Sequence, residues 1–314
     1  MNLQPIKSVE LIKIIDLISM NNPLQKKRIH NFLKKQNSEY WDFAESLSAN
    51  LNHSFLTDDF KRLQAANAYN KMCMDFLREQ IQFRKTGSYR IEDATIALSE
   101  VYNDINVMRY YMVGLLISYI FWPNHYELFR FFKLNLPKSS KIMSYLEVGV
   151  GHGLFTSTLL KSIPSIKATL VDISKTSIEI AKEIINTFQV EKNNINYIHG
   201  DYLKINFDNT GFDFIIMGEV LEHVNNAPDF MTQTKNLLNK GGSVYLSTCA
   251  NSPAIDHVYH FKSVDEIRNL IREHNFKIVK ELVLPVDNIP TEQWEKELTT
   301  INYCALLMHA NEDD

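Results

Sequence analysis

Three glycines spaced two apart, Gly149, Gly151 and Gly153, follow an apolar stretch that contains Glu147 and ends in Val148, and a helix-forming run begins at Leu154. Glycine lets the backbone turn tightly and approach a ligand without Cβ clashes, and a helix start presents free N–H groups. Such a loop can seat a nucleotide-like molecule. A second apolar stretch, Ala168 to Ile173, carries Asp172 at roughly the separation at which a βαβ unit offers a carboxylate to ribose hydroxyls. Together these residues mark a site for an adenosine-containing cofactor. The spacing is not the G-x-G-x-x-G of dinucleotide sites, because the third glycine lies only two residues beyond the second.

A second group of chemically capable residues lies in the segment Gly218 to Val224, which holds Glu219, Glu222 and His223. In a helix Glu219 and Glu222 share a face at i and i+3, and Glu219 and His223 at i and i+4, so the three can converge on one ligand. Ligands of open α/β sheets sit beyond the carboxyl ends of the strands, which puts this segment at the reacting centre. Three readings stay open. The first is a hard divalent ion that lowers the pKa of a bound hydroxyl. In the second, the carboxylates hold a cationic acceptor, an amine or guanidinium, while His223 or His260 removes a proton. In the third, Glu222 and His223 only cap the loop and support the cofactor. The expected catalytic set is Glu219, Glu222, His223 and His260; a divalent metal is an open alternative and not the favoured one.

Elements must hold these groups in place. Residues 1–135 contain two glycines, Gly87 and Gly114, and their apolar residues recur at helical spacing, which predicts an all-helical region. Helices are expected to start at Asn22–Pro23 and at Thr57–Asp59, the latter running to Gly87. A second long helix is expected from Glu92 to Trp122, ended by Pro123, and a shorter one through Phe132. Leu136 to Ser140 reads as a linker. Strand and helix then alternate, with strands near 144–148, 168–172, 195–198, 212–217, 243–248, 276–283 and 303–309, the pattern of a parallel sheet with helices on both faces. The helical region also offers aromatic walls with a few polar groups, as small-molecule pockets do, and Tyr110, Tyr111 and His125 are the acceptor candidates there. A core stripe accounts for most such residues.

Composition limits the function classes. The 314 residues are 45% hydrophobic and 22% charged with a formal net charge of −4, so no global charge drives the chain toward nucleic acid or anionic lipid. The short basic runs Lys26–Arg28 and Lys34–Lys35 read as solvated helix faces. Cys73, Cys249 and Cys304 are odd in number and far apart, which gives neither a disulfide framework nor a zinc pattern. The most apolar run, Tyr110 to Trp122, is too short for a bilayer that needs about 20 residues. The start lacks a secretory pattern, so a cytoplasmic protein is expected, with a frayed tail over 311–314.

Further motifs follow the glycine loop: Gly200, Asp201 and Tyr202, then Phe212 to Val224, then Leu237 to Ser247. In this order the series resembles the class I S-adenosylmethionine-dependent methyltransferases, over about Ile142 to His309. The resemblance implies an α/β fold, a seven-stranded Rossmann-like sheet whose last strand is antiparallel, joined to an all-α N-terminal domain. It divides the chain into a helical lid and dimerisation domain, 1–135, and an S-adenosylmethionine-binding domain, 136–314. The loop glycines would pass beneath the methionine part and ribose, Asp172 would take the ribose hydroxyls, and Asp201 would face the adenine amino group. Ile173 and Tyr202 would flank the ring, and Glu147 and Gly218 complete the cofactor set. The Glu-x-x-Glu-His pattern is also similar to that of ubiquinone-pathway O-methyltransferases and small-RNA 2′-O-methyltransferases; the latter add a later histidine, which His257 or His260 would supply, and this resemblance implies the divalent-ion reading.

The implied activity is methyl transfer to the nitrogen or oxygen of a small polar metabolite, an amino acid or a specialised-metabolite precursor, with S-adenosylhomocysteine as co-product. The alternatives are metal-assisted O-methylation of a catechol-like or RNA 3′-end hydroxyl, and a catalytically silent binding protein on the cofactor fold. No nucleic-acid or membrane partner is expected. Long glycine-poor helices make a good self-association surface, so small-angle scattering should return twice the chain mass; a monomer mass refutes the expected homodimer.

Overall fold

The computed structural model describes residues 8–138, 142–188, 190–192, 194–207 and 210–310, so part of the expected linker and the whole tail lie outside the described residues. Four helices open on side-chain caps read directly from the chain. Ser8, Asn22, Asn37 and Asp58 each accept the N–H of the residue three positions on, satisfying a donor the helix leaves unpaired. They start α1 (Val9–Asn21), α2 (Pro23–Leu33), α3 (Ser38–Ser54) and α4 (Asp59–Thr86). Gly87 closes α4 in the left-handed conformation, φ 73°, with its N–H on Phe83 O.

The helix expected from Glu92 to Trp122 is two. α5 (Ala94–Ala97) runs into a π-helical turn, Leu98–Tyr102, and a new helix, α6 (Ile105–Phe121), begins after it. The break has a local cause: Asp104 Oδ1 accepts the N–H groups of Asn106 at 2.8 Å and Val107 at 3.2 Å, a cap that restarts the helix. Pro123 at the first position opens α7 (Pro123–Leu134).

The second half alternates as expected: β1 (Ser144–Val148), α8 (Leu154–Ser162), β2 (Lys167–Asp172), α9 (Lys175–Thr187), β3 (Ile195–His199), β4 (Phe212–Gly218), α10 (Ala227–Leu237), β5 (Leu238–Ala250), α11 (Val264–Glu273), β6 (Phe276–Pro285) and β7 (Ile301–His309). The seven strands form one sheet in the order β3-β2-β1-β4-β5-β7-β6. β7 is antiparallel to both neighbours, and the pairings among β1 to β5 are parallel. The strand order reverses between β1 and β4, the switch point where open sheets bind ligands.

One face of the sheet packs on α10 and α11 through residues such as Leu246, Ile215, Ile267 and Ile271. The other face shares a core with the helical region. There Phe132 of α7 lies 4.8 Å from the Phe155 ring of α8 and 5.0 Å from Tyr245 of β5. α6 is buried on most of its circumference, which explains its apolar run; among the described residues no single helix is long and apolar enough to cross a membrane. It presses closely on α4, because a Cβ at Gly114 would stand 2.9 Å from Met72 Cβ and 3.2 Å from the Ala68 carbonyl. Gly114→Leu should therefore cost about 1–3 kcal/mol through overpacking, read as a lower denaturant midpoint at unchanged slope.

Candidate active site

β1 delivers the chain into the glycine loop at the switch point. Gly149 and Gly153 hold φ values of 71° and 75°, and a Cβ at Gly149 would meet Val220 Cγ2 at 2.8 Å, so both the turn and the close approach require glycine. Asp172, at the end of β2, fixes the loop: Oδ2 accepts Gly151 N–H at 3.1 Å and Oδ1 accepts Ser174 N–H at 2.8 Å. Each oxygen keeps acceptor capacity for a ligand hydroxyl. Burial pushes the Asp172 carboxyl up to about 6, against the pull of those two N–H groups.

Glu147 lies beneath the loop, fully buried, accepting the Thr156 hydroxyl, which in turn accepts Tyr145 OH at 2.7 Å. Burial pushes it up to about 8, so it stands there as a neutral acid. Ile173, Asp201, Tyr202 and Gly218 border the same cavity. Asp201 Oδ1 accepts Leu203 N–H at 3.1 Å, the Tyr202 hydroxyl meets Thr234 Oγ1 at 3.2 Å, and a Cβ at Gly218 would strike the Phe155 ring at 2.8 Å.

The segment after β4 is not an α-helix. Leu221–His223 forms a single 3₁₀ turn, so Glu219, Glu222 and His223 do not share one helical face. Glu219 adopts φ 55°, a region L-residues rarely occupy, held there by its N–H on Ser247 O at 3.0 Å and Ser247 Oγ at 3.2 Å. Its Oε1 is buried with no hydrogen-bond partner among the described residues. Glu222 turns inward, where Oε2 accepts the Thr248 hydroxyl at 2.8 Å and its carbonyl accepts Val258 N–H at 2.7 Å and Tyr259 N–H at 2.9 Å. Burial raises both carboxyls, and the neighbouring Glu219 charge drives Glu222 further up.

His223 Nδ1 lies 3.0 Å from Tyr102 OH and 3.3 Å from Asp256 Oδ2. Asp256 is buried and accepts two phenol hydroxyls, Tyr102 at 3.1 Å and Tyr111 at 3.0 Å. With the Tyr102 proton directed at Asp256, a hydrogen on His223 Nδ1 faces acceptors in Tyr102 and Asp256, and the neutral form of that tautomer carries its lone pair on Nε2. The helical break at Asn103 is what brings Tyr102 here.

The other expected residues divide. His125 lines the cavity with Nδ1 2.6 Å from Ser118 Oγ, and burial lowers it to about 4. Tyr111 enters through Asp256, but Tyr110 points away, its hydroxyl on Asp75 at 2.8 Å and its ring under Lys71. His260 is outside the cavity, bonded to Asn251 at 2.8 Å and packed against Tyr89 and Phe83. Its near neighbour His257 takes the inner place, 4.7 Å from the His223 ring, with burial lowering it to about 3. Glu222, His223 and His257 each bring one donor atom within 4.8 Å of the others, as do Glu219, Glu222 and Cys249. An ion at either place competes with Thr248 for Glu222. Sequence reasoning missed Tyr102 and Asp256, which come from separate segments with no shared spacing.

Asp172, Glu219, His223, Asp256, His257, Tyr111 and His125 border one cavity of about 1450 Å³ between the loop and the helical region, whereas Glu222, Tyr110 and His260 do not. A family model described as a methyltransferase domain matches residues 121–281. Similar curated proteins include malonyl-[acyl-carrier protein] O-methyltransferase 1 of Ilyobacter polytropus, 27% identical over 45% of this chain and 55% of that protein. Mitochondrial ubiquinone biosynthesis O-methyltransferase of Schizosaccharomyces pombe is also 27% identical, over 48% of this chain and 60% of that one. The chain thus spans little more than half the length of these relatives. An O-methyltransferase family protein from Burkholderia thailandensis shares the fold, with a TM-score of 0.52 at 9% identity over 79% of this chain and 72% of that one.

The raised Asp172 carboxyl sets opposite signs for stability and binding. Without ligand its contribution to stability is fully present below the ordinary carboxyl value and is lost as pH rises through about 6. A ribose hydroxyl prefers the ionised form, so calorimetric affinity for S-adenosylhomocysteine should be flat above about 6 and fall below it. In Asp172→Asn the affinity should drop about 10- to 100-fold at pH 8 and lose that inflection.

Proposed function

Because this chain belongs to the class I methyltransferases, whose methyl donor is S-adenosylmethionine, we propose that it methylates a nitrogen or oxygen of a small molecule held between the glycine loop and the helical region. The reacting end is polar, as in an amino acid or a specialised-metabolite precursor. Glu219 carries the proposal: a buried carboxyl oxygen without a partner, held in strained backbone at the cavity wall beside the cofactor loop, needs a donor from a ligand.

The residues present fit the cofactor. The glycine loop would receive the methionine part and ribose, Asp172 the ribose hydroxyls, and Asp201 with Ile173 and Tyr202 the adenine. When bound, S-adenosylmethionine supplies an electrophilic sulfonium methyl group, and in-line displacement at such a centre needs mainly proximity and a neutral or anionic nucleophile. With an amine acceptor, Glu219 Oε1 accepts one N–H and fixes its approach while His223 Nε2 takes the proton that departs. A hydroxyl has one proton, which goes to His223 Nε2, and Glu219 then aligns the acceptor through a neighbouring donor. Asp256 is a positioning residue: with Tyr102 it holds the His223 ring and its tautomer. Tyr111 braces Asp256 from α6.

The metal-assisted alternative rests on Glu222, His223 and His257 and predicts activity that depends on a divalent ion. Oxygen as acceptor gains support from the two relatives named O-methyltransferases. Self-association through the helical half gains support from Val9, Ile12, Phe60 and Leu63, exposed where Lys13 meets Asp59 across α1 and α4.

The test is formation of S-adenosylhomocysteine from S-adenosylmethionine with a panel of amine and hydroxyl acceptors, run on metal-stripped protein and again with magnesium. His223→Gln should lower kcat about 10²- to 10⁴-fold with S-adenosylhomocysteine affinity unchanged, and Glu219→Gln should mainly raise KM. Cofactor binding without turnover of any acceptor would favour the silent-fold alternative, and no cofactor binding at all would sink the proposal.

A further inference from the structure

The cavity, about 1450 Å³, exceeds the roughly 300–1,000 Å³ of a pocket for one drug-sized ligand. Its wall can be followed residue by residue away from the glycine loop. Tyr119 lies 5.1 Å from the His152 ring in that loop and 5.3 Å from His125, and His125 lies 4.8 Å from Trp122. Trp122 Nε1 donates to Tyr69 OH at 3.0 Å, and Tyr69 OH donates to Gln25 Oε1 at 3.3 Å. Gln25 is one turn before Arg28 on α2, and both border the cavity. The wall therefore runs from the reacting centre along Tyr119, His125 and Trp122, and Tyr69, buried behind it, links Trp122 to the α2 end that carries Gln25 and Arg28, the mouth of the passage.

The mouth carries an unbalanced charge. Arg28, Lys35 and Arg84 border it, together with Glu127 and Asp287. Asp287 is taken by Arg84 at 3.5 Å and Glu127 by Arg130 at 3.5 Å. Among the described residues Arg28 and Lys35 make no ion pair. Two unmatched cations at one end of an apolar passage, with a carboxyl pair at the other, are suited to a ligand with its own polarity in the opposite sense.

We propose that the methyl acceptor is an elongated amphiphile, with its nucleophile at Glu219 and His223, an apolar body along Tyr119 and Trp122, and an anionic far end at Arg28 and Lys35. Its reactive end rests on the methyltransferase reading, whereas its far end does not. A compact amino acid would leave the aromatic wall wet. An apolar chain dries it and gains roughly fourfold in affinity per methylene buried.

Calorimetry of the full chain, with and without saturating S-adenosylhomocysteine, would use ω-hydroxyalkanoates from hexyl to dodecyl, the matching ω-hydroxyalkyl phosphates and ω-hydroxyalkyl trimethylammonium ions. Anions should bind with affinity rising along the series, and the cations should not. The carboxylate and phosphate arms identify which anion the mouth takes. Arg28→Glu with Lys35→Glu should weaken anion binding at least tenfold and leave S-adenosylhomocysteine affinity unchanged. Leu115→Trp, which narrows the passage, should shorten the longest chain that still gains affinity. Binding indifferent to chain length, to charge reversal or to Leu115→Trp overturns the proposal. Loss of S-adenosylhomocysteine binding in the unaltered protein strikes the methyltransferase reading instead, and the series without it still reports on the mouth.

Discussion

Phe155 is the contact on which the placement of the site depends. It stands on the first turn of α8, directly after the glycine loop, and its ring meets Phe132 and Phe129 of α7, Tyr119 of α6 and Tyr245 of β5. It also lies over Gly218, leaving no room for a Cβ at the end of β4. One apolar side chain therefore ties the cofactor loop, the strand that presents Glu219 and the helices that cover the acceptor side. Interiors are packed as densely as crystals, so these parts cannot shift independently. The helices bring Tyr102 and Tyr111 to Asp256 because α6 and α7 are seated on this cluster.

Within that frame the site buries several ionisable groups, and an unsolvated charge costs several kcal/mol unless it is neutralised or hydrogen-bonded. Each group meets the cost differently. Glu147 is held as an acid under the loop, and Asp172 takes two backbone N–H groups. Asp256 takes two phenols and the imidazole of His223, and Glu222 takes a threonine hydroxyl. Only Glu219 keeps an oxygen that nothing in the described chain answers. Its backbone is strained as well, and strain of about 1–3 kcal/mol persists only where the surroundings impose it. Both costs fall on the one residue that closes the gap between loop and cavity.

The parts legible in the sequence were those whose geometry is local. Glycines two apart, with an aspartate after the next strand, are close in the chain and in space, and the seven strands follow from alternation and turn residues. The break between α5 and α6 was masked because an apolar run continues through it; only the Asp104 cap decides, and an aspartate inside a helical pattern is a weak signal. The identity of the inner histidine was not legible either. His257 and His260 lie in an irregular segment without periodicity, and only its anchoring by Glu222 through Val258 and Tyr259 turns His257 inward and His260 out. Arg28 and Lys35 looked like an ordinary solvated face because their significance lies in which cavity opens beside α2.

This division between local and distant determinants follows from the chemistry. A sulfonium methyl needs alignment more than acid–base help, so the cofactor half can be built from a compact run of chain. The acceptor must be held by groups that reach over the cofactor from elsewhere, and in the proposed reading they come from α4, α6, α7 and the segment after β5. Selectivity then resides in the cover rather than in the sheet. A passage lined by Tyr119, His125 and Trp122 excludes water once an apolar ligand fills it, and that strengthens the polar contacts at its inner end, beside Glu219 and His223.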